Sequence, residues 1–71
     1  MLYYFRRGVA RIKCEVRTDA TGNGYELVVD RPDAMVKVES FPAPPELNRR
    51  WQELERCLLR EGWQGPHARS L

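Results

Sequence analysis

The sequence predicts an α+β fold: an antiparallel β-meander of three to four strands with one C-terminal α-helix packed on one face. Three observations lead there. Residues 3–41 read as strands, with strict period-two alternation at residues 11–17 and β-rich runs at 25–30 and 35–39. The links between these runs are short and rich in turn residues, which favours antiparallel neighbours. Beyond a proline cluster at residues 42–45 the apolar spacing becomes helical.

The first strand is Tyr3 to Arg6, turning at Arg7-Gly8. Residues 11–17 form the clearest strand, with Ile12, Cys14 and Val16 on one side and Arg11, Lys13, Glu15 and Arg17 on the other. A loop of turn chemistry, Thr18 to Gly24, leads to a β-rich run at residues 25–30. A tight turn at residues 31–34, built around Pro32, leads to the run 35–39. The expected register sets Cys14 against Val29, Val16 against Leu27 and Val29 against Val36 on the buried side. On the other side it sets Lys13 against Asp30, Arg17 against Glu26 and, unfavourably, Glu26 against Glu39. The outer sheet face should then carry Tyr4, Arg6, Arg11, Lys13, Glu15, Arg17, Glu26, Val28, Lys37 and Glu39.

From Pro45 to Glu61 the residues Leu47, Trp51, Leu54 and Leu58 make one apolar stripe. Outside it, Arg49–Glu53 and Glu53–Arg56 have salt-bridge spacing. Gly62 is placed to end the helix, with Trp63 turning back as its hydrophobic contact near Leu58. Residues 1–63 thus form one domain, and residues 64–71 are expected to be a flexible tail.

Composition bounds function. The chain has 71 residues, twelve Lys+Arg against ten Asp+Glu, and 42% apolar residues. A domain this small has a thin core, and such domains often need a disulfide, a metal or a second subunit. No secretory signal or bilayer-spanning run is present, so a cytoplasmic location is expected, where a Cys14–Cys57 disulfide would not persist.

No catalytic, cofactor-binding or metal-binding residues are expected. The single histidine, His67, falls in the tail with nothing nearby to orient it. Cys14 alternates in phase with core residues, and Cys57 lies at the margin of the helix stripe. Their spacing matches no metal-ligand pattern. The glycines at 22 and 24 and at 62 and 65 lack the strand–loop–helix context of a phosphate loop. The expected function is therefore that of a small non-enzymatic protein-binding or adaptor module using the exposed sheet face. A protein partner or a second copy of the chain would bind there, and an edge strand could pair with that second copy.

The alternative is nucleic-acid binding by the basic N-terminal strands, where five bases face Glu15 as the one acid. Against it stand six acids and two bases in residues 19–46, which the meander would set beside the basic strand. The candidate contact residues for either partner are Tyr4, Arg6, Arg7, Arg11, Lys13 and Arg17.

The run Cys14-Glu15-Val16-Arg17, the Tyr25-Glu26-Leu27 segment and the ending Glu61-Gly62-Trp63-Gln64-Gly65-Pro66 resemble short uncharacterised bacterial proteins of about this length. The resemblance implies a free-standing cytoplasmic bacterial protein, and it assigns no functional residue.

Overall fold

A computed structural model describes residues 1–68 of the chain. The elements run β1 (Leu2–Arg7), β2 (Ala10–Thr18), β3 (Tyr25–Asp30), β4 (Lys37–Phe41), α1 (Pro44–Arg60) and β5 (Gln64–Ala68). They form one antiparallel sheet in the order β4-β3-β2-β1-β5, with α1 packed on one face. The α+β class is as expected, but there are five strands. Residues 64–68 of the expected tail pair with β1, and the expectation for residues 69–71 lies outside the described residues.

The core is what a single covering helix can bury. Phe5, Ile12, Cys14, Leu27 and Val29 point from the sheet toward Leu47, Leu54 and Leu58 of α1, with Trp63 beside them. The central register follows the expected pairing: Cys14 opposes Val29, Val16 opposes Leu27, Lys13 opposes Asp30 and Arg17 opposes Glu26. Strict alternation in β2 fixes it, because a slip of one residue would expose the whole apolar row. The loop between β2 and β3 is closed by Asp19. Its Oδ1 accepts the Thr21 hydroxyl at 2.6 Å and the Thr21 and Gly22 amides at 3.0 Å each. These donors, the hydroxyl foremost, hold the Asp19 carboxyl below its ordinary range.

The β3–β4 pairing differs from expectation by one residue. Val29 opposes Lys37 rather than Val36, and Glu26 opposes Ser40 rather than Glu39. The slip exchanges the faces of every β4 side chain. Lys37 and Glu39 therefore leave the outer face for the helix side, while Val38 joins Val28 outside. Two contacts favour this register. Phe41 is carried inward beside Tyr25, against the core. Glu39 meets Arg50 of α1 at 2.8 Å, a half-buried ion pair that no outward-facing Glu39 could make. The same slip removes the unfavourable Glu26–Glu39 opposition.

Proline at the first turn suits α1, since its missing N–H would find no partner within the helix there. Glu53 pairs with Arg50 at 3.8 Å, and not with Arg49 or Arg56 among the described ion pairs. The C-terminus closes as expected. Trp63 N–H donates to Leu58 O at 3.0 Å and Gly62 N–H to Leu59 O at 3.1 Å, with Gly62 at φ 95°. This turn buries Trp63 and aims the chain along the free side of β1, which creates β5. Arg7 locks the joint. Its guanidinium lies 4.5 Å from the Trp63 ring centroid and donates to Glu61 O at 2.9 Å, at the negative end of the helix.

Gly65 packs its backbone tightly against β1. A Cβ there would lie 2.9 Å from Tyr4 O and 3.0 Å from Phe5 Cδ2, at φ 147°. Gly65→Ala should therefore destabilise the protein by about 2–3 kcal/mol in thermal melts followed by circular dichroism. Gly8→Ala, which meets open space at φ 61°, should cost only about 1 kcal/mol. Equal losses at the two sites would contradict this placement of β5.

Candidate interface on the outer sheet face

The face of the sheet away from α1 has no covering layer among the described residues. Strand alternation delivers Leu2, Tyr4 and Arg6 to it from β1, and Arg11, Lys13, Glu15 and Arg17 from β2. Glu26, Val28 and Asp30 follow from β3, and Val38 and Ser40 from β4. β5 adds His67 opposite Tyr4 and Gln64 opposite Arg6. Sequence reasoning missed these last two because Gln-Gly-Pro-His-Ala carries no strand pattern, and only the preceding helix end directs it onto β1.

The face divides into two halves of different character. In one, Arg17 is held between carboxylates, with Nε 3.0 Å from Glu26 and Nη1 3.3 Å from Glu15. The hydrogen bond from Arg17 to Glu26 is the main cause that raises the guanidinium's already high pKa. Beyond this triad lie the apolar Val28 and Val38. In the other half, Tyr4 is flanked by His67, with ring centroids 5.0 Å apart, and by the Arg11 guanidinium, 5.3 Å from the Tyr4 centroid. Lys13 opposes Tyr4 and Arg6 opposes Arg11 across the strands. Arg6, Arg11 and Lys13 enter no ion pair among the described residues, and Asp30 is the one carboxylate directly across from them. Leu2, Tyr3, Tyr4, Arg11 and Lys13 line a small recess of about 110 Å³.

Of the six expected contact residues, Tyr4, Arg6, Arg11, Lys13 and Arg17 share this face. Arg7 does not. It opposes Ala10 with its side chain on the helix side, spent on Trp63 and Glu61. Arg17 is on the face but already paired. Lys37 and Glu39, expected here, are on the other side.

Nucleophiles and metal ligands are placed as follows. Cys14 is fully buried, and burial pushes its thiol from 9.0 to about 11, while Arg31 opposes the shift. A buried thiol of that pKa is a packing group. Cys57 is exposed on α1. Among the described residues no three His, Cys, Asp or Glu side chains converge in a way that could hold a metal ion. No described helix is long and apolar enough to cross a membrane.

Comparison of the chain with protein-family models, curated proteins and solved structures finds no match.

The two thiols should differ sharply. In the native protein a disulfide thiol reagent should titrate Cys57 at once and Cys14 only after unfolding. Because the Cys14 pKa is raised by folding, its contribution to stability is present below pH 9 and is lost as pH rises toward 11. Chemical denaturation midpoints across that window should fall for the wild type and fall less for Cys14→Ala.

Proposed function

We propose that this protein is a small non-enzymatic binding module and that the outer sheet face is its contact surface. The observation that carries the reading is the division of charge on that face. Glu15 and Glu26 both pair with Arg17, and among the described residues neither forms an ion pair with Arg6, Arg11 or Lys13. These three surround the Tyr4–His67 pair with one carboxylate across from them. Leaving three cations together without partners is unfavourable in the free protein, and an anionic partner relieves it.

Single-stranded nucleic acid is the anion this half suits best. It carries phosphates for the cations and bases that stack on aromatic rings, and a flat open sheet admits an extended strand. The acids that the sequence sets beside the basic strands count for less than their number. Glu39 faces the helix, and Glu26 is paired with Arg17. A protein partner, the other class expected from the sequence, draws its support from the Val28–Val38 half of the face.

Fluorescence anisotropy with a labelled oligothymidylate tests the nucleic-acid reading. Three phosphate contacts give a slope of log K against log salt of roughly −2, taking about −0.7 per contact on single strands. Arg11→Ala with Lys13→Ala should weaken binding at least tenfold at low salt and flatten the slope. Arg17→Ala should change it little. Absence of binding at low salt, or equal loss from all three substitutions, would overturn the assignment.

A further inference from the structure

We propose that a second copy of this chain docks on the open edge of β4, joining the two sheets antiparallel about a two-fold axis through Val38. The surface is distinct from the basic half around Tyr4, and the inference does not depend on that half binding an anion.

β4 is one end of the sheet, and among the described residues its outer backbone groups have no strand partner. Native sheets guard such edges with charge, proline or a covering element. Here Lys37 and Glu39 are interleaved with exposed apolar side chains. Met35 is 91% exposed, Val36 55% and Val38 48%, with half-buried Val28 beside Val38. Three of the six large apolar residues left exposed in the described chain thus lie within four consecutive positions. The opposite edge, β5, is built from Gln64, Gly65, Pro66, His67 and Ala68 and shows no such cluster.

The register of this contact follows from the sequence of the edge. A two-fold axis perpendicular to the sheet keeps both helices on one side and both outer faces on the other. Directly opposed residues must then share a face, which leaves only every second register. Centring the axis on Val38 opposes Val38 to its own copy and Val36 to Ser40 on the outer face. On the helix side it opposes Lys37 to Glu39 twice, once on each side of the axis. Moving the centre to Glu39 would set that carboxylate against its own copy, and Lys37 against Phe41. Moving it to Lys37 would set lysine against lysine. Among these central registers, only the one through Val38 pairs opposite charges and buries valine on valine.

Lys37 has the freedom to do this. Its side chain is 68% exposed and holds Glu39 of its own strand only at 3.7 Å. Glu39 keeps Arg50 on its other oxygen, so accepting a second lysine leaves the fold's own ion pair intact. A thin core also gains from the added layer of apolar burial.

Analytical ultracentrifugation from micromolar to millimolar protein should show a reversible monomer–dimer equilibrium. Val38→Lys places two ammonium groups across the axis and should weaken dimerisation by about tenfold or more, with unchanged far-ultraviolet circular dichroism. A cysteine pair reads the register. Opposed Cα atoms in an antiparallel pair lie about 4.5–5.5 Å apart, within the span of a disulfide. Val38→Cys in a Cys57→Ser background should therefore oxidise to a covalent dimer in glutathione buffer, and Ser40→Cys in the same background should not. A strictly monomeric wild type overturns the proposal. So does a dimer that survives Val38→Lys or crosslinks at position 40 in place of 38.

Discussion

One helix covers one face of a five-stranded sheet, and that single layer of cover governs the parity of every strand. Each strand can bury only alternate side chains, so Phe5, Ile12, Cys14, Leu27 and Val29 must all fall on the side of Leu47, Leu54 and Leu58. Burial of such side chains supplies about 1.5–3 kcal/mol each, which exceeds anything the exposed charge pairs contribute. The outer face is therefore left to whatever residues the alternation delivers. Its aromatic and cationic character is a by-product of satisfying the core on the reverse side, and it is available for binding because nothing in the described fold consumes it.

The second organising feature is the end of the helix. Gly62 takes the left-handed conformation, Trp63 folds under the last turn, and Arg7 lies over the indole while bonding to Glu61 O. This joint ties the first strand to the last helical turn across more than fifty residues of sequence. It also sets the direction in which residues 64–68 leave. They have no intrinsic strand character, yet they complete the sheet on the β1 side and bring His67 beside Tyr4. A structural joint and the aromatic part of the candidate interface thus share the same short stretch of chain, with Arg7 consumed by the first and unavailable to the second.

Charge on this protein is better described by position than by sum. Within the net +2 lie a triad at Arg17 with one excess negative charge, a cation group around Tyr4, and a helix-side set in which Glu39 and Arg50 meet half-buried. The exposed triad contributes little to stability, because solvent screens it. The Glu39–Arg50 pair is more consequential, since it reaches from the edge strand to the helix and selects the face on which β4 shows its charges. That selection is also what leaves Val36 and Val38 in water at the sheet edge.

The α+β class, the helix stripe with its glycine stop, and the β2–β3 register were legible in the amino-acid order. Each rests on local periodicity, and in β2 a one-residue slip would have exposed three apolar side chains at once. The β4 register was not legible, because the alternation in residues 36–39 points the valines inward and the structure overrides that local preference. Arg50 and the inward packing of Phe41 decided the register, and both act through space from the helix and from the core. β5 was not legible either, since its pairing comes from the Trp63 anchor and the vacant side of β1. Of the candidate interface, the sequence by itself determined which strands carry the cations and Tyr4. The Arg17–Glu26 pairing followed from the same β2–β3 register, whereas tertiary structure alone decided that Arg7 turns away and that His67 joins. Those last two outcomes depend on neighbours far apart along the chain, and local alternation carries no information about them.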